Sequence, residues 1–524
     1  MLGKPVCVFL SFGGNVDDPD ATTVRLGGVL VSDSTPRRAN PLRAANGSTA
    51  RAPVDIPPRE IVGHFLFIAF VLGIPFGIAT SSLAFRDGDV SWQVAAGQWI
   101  IAHARIPTAD PFSFTAAGRP WVAMEWLSEI VYATAYRLAG WNGLAATVAC
   151  ATVALNALIF FYLQRRASIV VVAVSLFMLD IVVAPFVLAR PHVLAWPLLA
   201  AWTIVLLRAA ENKRPPSLWW TLLLVVWTNA HASFPLALPI AAAIALDSVI
   251  EARWTNVRQW IVFGIVSVVA LSCNANGLAG LLQPFKTASL TMLHLIGEWH
   301  PSSTANTPEF FGVLLLALGA ICWTGLRIPA GRLLLLLVLL GLAFLHVRHQ
   351  STFIIVAVLV VPALLDSKPA RSPLPKWLLL GFLPMLAYAL ISPRTPPEGP
   401  ANPRSLIAAV PTALRSQPVF NEYSFGGPLI LAGIKPYIDG RGELYGDAFV
   451  EDYSNIIGGD MAAFNRAAQR YDIRWTMLPR DSKALIAALE GSGKWRRIYA
   501  DRVGVIDVRS VPITAPTASG AKQR

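Results

Sequence analysis

The sequence predicts a polytopic α-helical membrane protein with a small α/β domain at its C-terminal end. Three observations carry this. Of 524 residues, 55% are hydrophobic and only 14% charged, whereas a soluble chain carries roughly 25% charged residues. Apolar runs long enough to cross a bilayer recur between residues 61 and 392, and the mean hydropathy is +0.54. After Pro393 the composition becomes that of a soluble domain, in which short strand-like and helix-like segments alternate.

Residues 1–60 mix Gly, Pro, Ser, Asn and Arg without periodicity, as in Ser34-Thr35-Pro36-Arg37-Arg38. They are expected to form a disordered cytoplasmic tail, or an over-extended start of the reading frame. Val6 to Phe12 is apolar but too short, and lacks a signal-peptide cleavage pattern. Residues 61–392 form the membrane domain. Its eleven expected spans are 61–83, 142–163, 168–188, 192–208, 217–229, 233–250, 258–273, 309–326, 332–346, 350–366 and 376–392. The first outer loop is 84–141. Within it, 121–139 is apolar but contains Glu125, Glu129 and Arg137, which predicts an amphipathic helix in the interface. The long loop 274–308 contains a second apolar stretch; Lys286 argues for a dip or an interfacial helix instead of a crossing. Many of the 17 Trp lie near the ends of apolar runs, as an interfacial belt requires. Residues 393–510 form the α/β domain, with strands expected at 428–431, 437–439, 475–478 and 503–507 and helices at 462–471 and 483–489. Residues 511–524 read as a disordered tail.

Charge orients this arrangement. Alternate loops carry Arg165-Arg166, Lys213-Arg214, Arg253 with Arg258, Arg327 with Arg332, and Lys368 with Arg371 and Lys376. Short basic loops face the cytoplasm, so the N terminus is inside and the C-terminal domain outside. The formal net charge of +12 is therefore a matter of topology, and no nucleic-acid partner is implied. Asp87, Asp89, Asp110, Glu125, Arg190, His192, His231, Glu298, His300, Arg348 and His349 all fall on the outer side.

Chemistry is expected there. Charge beside a span is costly unless it has a partner or a function. Asp87-Gly88-Asp89 follows the first span directly. Asp89 suits a helix N-cap; the pair also suits a divalent cation, or one member suits a general base. Glu125 and Glu129 lie one helical turn apart, facing water or partly buried. Arg190, in Arg190-Pro191-His192, and Arg348, beside His349, either snorkel to lipid headgroups or hold a phosphate. His231 breaks an apolar hairpin, as hydrogen-bonded filler or as a ligand. In the soluble domain, Asp439 and Arg441 either pair to stiffen a glycine-containing turn or help hold an acceptor.

Several classes are excluded. The sequence has no nucleotide-phosphate loop, no glycine-rich dinucleotide turn and no Gly-x-Ser-x-Gly elbow. The His residues show no zinc spacing, and the four scattered cysteines read as small apolar side chains.

Asp87 to Gly97, Ile106 to Ser113, Glu125-Trp126-Leu127, Trp227 to Phe234 and Tyr437 to Arg441 resemble, in order over residues 60–510, segments of bacterial proteins of the GT-C superfamily. The resemblance implies a multi-pass protein of the bacterial inner membrane with its active site at the periplasmic face. It implies transfer of a hexosyl or pentosyl group from a polyprenyl-phosphate-linked sugar to a glycan, lipid or protein hydroxyl. The superfamily's catalytic Asp falls on Asp87 or Asp89; family members often show Asp-Glu or Glu-Asp there, so Asp-Gly-Asp leaves both as candidates. From the topology, Arg190, His192 or Arg348 would steady the leaving phosphate, with Glu125, His231, Glu298, His300 and His349 lining the same face. A transporter or flippase would be expected to show internal repeats and charges near the midplane, and none is evident. A non-catalytic scaffold requires all the outer charges to be ordinary loop residues.

Overall fold

A computed structural model describes residues 58–365, 367–369 and 373–510. The expected tails, 1–60 and 511–524, lie outside the described residues apart from 58–60, which open the helix Pro58–Phe67. The described residues belong to one compact unit. Among the described residues, six helices are long and apolar enough to cross a membrane: Ile61–Ala79, Trp126–Leu163, Ile169–Phe186, Pro191–Glu211, Phe234–Glu251 and Val347–Leu364. A seventh candidate is Val257–Ser272, which continues into Gly277–Ala288 through a bend of 92°. Leu218–Ala230, Pro308–Thr324, Ala330–Leu345 and Lys376–Ile391 are apolar but shorter.

Every run expected to span is therefore helical, but eleven full crossings are not established. The short helices have fewer than 18 residues. At about 1.5 Å per residue they fall short of a hydrocarbon core of about 30 Å. Apolar faces turn outward over the bundle, with Leu315, Leu316, Leu337, Trp323 and Ile391 exposed, as lipid contact requires.

Local chemistry shapes the first helices. The first span widens into a π-helical turn at Ile68–Gly73, just ahead of Pro75; such a turn tolerates a residue that has no N–H to donate. Trp126–Leu163 is two helices joined at a sharp break, where Ala139 and Gly140 leave helical geometry and Gly140 takes φ 55°. That break separates the expected interfacial segment from the span that follows. Helix Asp89–His103 packs on the first of these halves, so closely that a Cβ on Gly97 would lie 2.0 Å from the Glu129 carbonyl oxygen.

The C-terminal part holds four strands: β1 (Val419–Asn421), β2 (Trp475–Pro479), β3 (Trp495–Ala500) and β4 (Gly504–Arg509). Their order is β1-β2-β4-β3, with β1 parallel to β2 and the other pairs antiparallel. Two expected strands are absent. Segment 428–431 lies in helix Gly426–Leu431, since a run of a few apolar residues does not distinguish helix from strand. Segment 437–439 is loop, held by Asn421, whose side chain accepts from Tyr437 N–H and donates to Ile438 O. β1 and β3 escape the sequence reading: β1 has only three residues, and β3 is an edge strand carrying Arg496 and Arg497, a pattern that protects edges and looks like loop.

Candidate active site

The Asp87-Gly88-Asp89 turn opens helix Asp89–His103, and Gly88, not Asp89, is its N-cap. Asp87 Oδ1 accepts from the Asp89 N–H at 2.9 Å, so the capping role expected of Asp89 falls to Asp87. The Asp89 carboxylate is left to face Arg190. Arg190 stands immediately before helix Pro191–Glu211 and is anchored by its backbone: Tyr132 Oη donates to its carbonyl at 2.8 Å. Its guanidinium meets Asp87 Oδ2 at 3.1 Å, Glu298 Oε2 at 3.3 Å, and Asp89 Oδ2. Glu298 in turn bridges to Arg348 at 3.5 Å. Arg348 also lies over the Trp299 ring, 4.5 Å from its centroid.

Beside this cluster, Glu125 Oε1 faces His231 Nε2 at 3.5 Å. Ser233 N–H donates to His231 Nδ1 at 3.1 Å, which leaves the proton of the neutral ring on Nε2, toward Glu125. Asn229 fixes the surrounding backbone: its side chain accepts from Trp126 Nε1 and Ala275 N–H and donates to Cys273 O. His192 donates from one ring nitrogen to Phe186 O at 2.7 Å.

The carboxyl, arginine and histidine side chains of this group line a cavity of about 750 Å³. Asp87, Asp89, Glu125, Arg190, His192, His231, Glu298, Arg348 and His349 are brought together in it. His300 is not; it is exposed, and its ring bonds the His294 carbonyl at 2.8 Å. Asp439 and Arg441 lie behind the cavity wall. Arg441 is 1% exposed and pairs with Asp439 and with Asp110 of the first outer loop, each at 2.7 Å. Tyr445 Oη donates to the same Asp439 carboxylate at 2.6 Å, and Arg441 rests 4.7 Å from the Trp121 ring. This network joins the first outer loop to the C-terminal domain and is closed to solvent.

The C-terminal domain forms part of the cavity wall through Tyr423, Ser424, Gly440, Gly442 and Glu443. Its glycines touch the acidic turn. A Cβ on Gly88 would lie 2.4 Å from Ser424 O, and one on Gly427 would lie 2.3 Å from Gly88 O. The middle residue of Asp-Gly-Asp is thus a docking point where no side chain fits. Sequence reasoning did not single out Gln93 or Trp92 as lining residues, because nothing local in the chain marks them; Tyr423, which precedes a glycine-containing turn, was the more legible one. It also left Glu129 open to water, whereas Glu129 is buried at 1% exposure.

Electrostatics divide the carboxyls. Burial, then the Asp87 and Glu298 charges, push Asp89 up to about 7 against the pull of Arg190. Burial likewise raises Glu125 to about 7. For Glu298 burial is overcome by Arg190 and Arg348, which hold it down at about 2. His231 is driven well below its ordinary value by burial and by His192, Arg348 and Arg190, so it is neutral. A divalent cation does not fit the converging carboxylates as they stand. Asp87, Asp89 and Glu298 close on the Arg190 guanidinium, and no cluster of three or more His, Cys, Asp or Glu among the described residues is arranged to hold a metal ion.

No family model matches the chain, and no curated protein matches it in sequence. Solved structures do match its fold. The apo oligosaccharyltransferase of Archaeoglobus fulgidus is similar over 87% of this chain and 75% of its own, at 11% identity and a TM-score of 0.50. The oligosaccharyltransferase AglB of the same organism, in complex with an inhibitory peptide and a dolichol-phosphate, is similar over 87% and 74%, at 11% identity and a TM-score of 0.47. At such identity the likeness is one of fold alone.

Proposed function

We propose that the protein is a glycosyltransferase that moves a sugar from a polyprenyl-phosphate donor to an acceptor hydroxyl at the extracytoplasmic face of the membrane. The observation that carries this reading is the carboxylate cluster of Asp87, Asp89 and Glu298 around Arg190, in a cavity of about 750 Å³ within a GT-C fold. The N-terminal tail is cytoplasmic and the C-terminal domain lies outside, which puts the cavity on the donor's extracytoplasmic side.

Asp89 is the general base. Both oxygens of Asp87 are engaged, one by the Asp89 N–H and one by Arg190, so Asp87 positions the turn. Asp89 titrates near neutrality, which suits proton abstraction. The acceptor oxygen attacks the anomeric carbon and its proton passes to Asp89. The bond from the anomeric carbon to the phosphate oxygen breaks, and its electron pair leaves with polyprenyl phosphate. Of the cationic candidates, Arg190 is committed to three carboxylates, and His192 donates to a carbonyl. Arg348 has only a 3.5 Å contact to Glu298, so it retains N–H donors for the phosphate. Trp299 and His349 lie beside it.

Transfer from a radiolabelled polyprenyl-phospho-sugar by the purified protein tests the reading. Label must move to an acceptor in a manner that requires Asp89; absence of transfer across hexosyl and pentosyl donors would sink it.

A further inference from the structure

The cavity wall is strongly unbalanced in charge. Six carboxyl side chains line it, from Asp87, Asp89, Glu125, Glu129, Glu298 and Glu443, against the guanidiniums of Arg190 and Arg348 alone. Arg190 is occupied by Asp87, Asp89 and Glu298, and the one carboxylate Arg348 meets is Glu298, at 3.5 Å. Glu125, Glu129 and Glu443 are left as a second acidic group with no ion-pair partner among the lining arginines. They are near enough for each to feel another's charge.

A second observation marks this end of the cavity as a binding surface. Gln93 is 2% exposed and its Oε1 has no hydrogen-bond partner; Glu129, 1% exposed, has an unpartnered Oε2. Both residues line the cavity. Orphaned buried polar atoms are rare in folded proteins and call for a partner. Both atoms are acceptors. The indoles of Trp92 and Trp121 stand together, 6.3 Å between ring centroids, and supply flat apolar surface of the kind a sugar ring covers.

A neutral sugar hydroxyl would satisfy the orphans and leave the carboxyls unpaired. An ammonium group would do both: it carries three donors, and it compensates carboxylates that burial otherwise penalises. We infer that the Glu125, Glu129 and Glu443 end of the cavity, with Gln93 and the two indoles, binds a sugar ring bearing a protonated amino group. This deepens the transferase reading and rests on it for the view that a sugar occupies the cavity.

The test uses the full-length protein in lipid nanodiscs with three probes: a methyl glycoside of glucosamine, its N-acetyl counterpart, and glucosamine 1-phosphate. Binding of the amino glycoside at least about tenfold tighter than that of the N-acetyl glycoside is expected, as loss of a charge-assisted contact predicts. Glu125→Gln and Glu129→Gln should each erase most of that preference, with the melting temperature checked in parallel. Equal binding of the two glycosides, no binding of either, or a preference that survives both substitutions overturns the inference. Tighter binding of the 1-phosphate than of the amino glycoside places the amino sugar on the donor; the reverse places it on the acceptor. Competition by polyprenyl phosphate separates the two levels. Transfer activity without an amino preference defeats only this inference. An amino preference without any polyprenyl-phosphate binding or transfer defeats only the transferase reading.

Discussion

Gly440 of the C-terminal domain lies directly against the carboxylate of Asp89: a Cβ built on Gly440 would fall 1.7 Å from Asp89 Oδ1 and 3.0 Å from Trp92 Nε1. The soluble domain therefore takes part in shaping the proposed base. With Arg190 on the other side of the carboxylate, Asp89 is held between a cation and a backbone that admits no side chain.

This contact makes Gly440→Ala a sensitive probe. The added methyl must displace Asp89 or the turn that carries Gly440, and overpacking of this kind costs about 1–3 kcal/mol. A loss of transfer larger than the accompanying fall in melting temperature accounts for is expected, because the displaced group is the base. Wild-type turnover in Gly440→Ala would show that the domain and Asp89 do not meet as described.

Asp89→Asn should lower kcat by ~10²–10⁴, the usual consequence of removing a general base. Asp87→Asn keeps an oxygen to accept the Asp89 N–H and loses charge toward Arg190, so a smaller loss is expected. Single-turnover transfer by both purified variants checks the order; equal and full activity in both removes the acidic turn from the mechanism.

Arg441→Ala is expected to act on stability. It leaves Asp439 and Asp110 as buried, uncompensated charges, and breaking such a pair typically costs about 3–5 kcal/mol. Asp439 is held below its ordinary value despite burial, chiefly by Arg441, so the pair is ionised. A lowered melting temperature, with an unchanged acceptor KM in the folded fraction, is the expected result. A raised KM without destabilisation would instead assign the pair to acceptor binding.

The pH dependence carries two signs. Asp89 must be ionised to accept a proton, and its pKa is about 7, so transfer should rise with pH and level off above that value. Stability from Asp89 and Glu125 runs the other way. Both are raised to about 7 from ordinary values of 3.8 and 4.5. In that interval the folded protein keeps protons that the unfolded chain releases. Their contribution is complete below the ordinary values and is lost as pH rises through about 7. Glu298, depressed from 4.5 to about 2, contributes stability that is present above 4.5 and lost as pH falls toward 2. Melting curves of wild type and Glu125→Gln between about pH 5 and 8 should show a shallower slope in the variant.

Topology is open to a direct test. Reporter fusions after Arg166 and Lys213 should score cytoplasmic, and one after Arg394 extracytoplasmic, following the basic loops. A cytoplasmic signal at Arg394 would reverse the face on which the cavity opens.

The sequence by itself determined the class of protein and the positions of its helices. Long apolar runs admit one backbone solution in a bilayer, the helix, so their placement is a local property. It also showed basic residues in alternate loops, the pattern from which a shared polar face is expected. Partnership was a different matter. That Arg190 closes on Asp87, Asp89 and Glu298, more than a hundred residues away on either side, depends on how helix ends pack, and no local pattern encodes it. The same holds for Asp110, a turn residue in sequence, which becomes a partner of Arg441 only when the two domains meet. Span length was also beyond reach, since hydropathy marks an apolar run but not where a helix bends, as Ser272 and Gly277 do across 92°. Short apolar segments such as 428–431 carry no period from which helix or strand can be read, and contact with the acidic turn accompanies the outcome there. The role of Gly88 is the clearest case: its φ of −71° is open to any residue, and only the approach of the Ser424 carbonyl makes a side chain impossible.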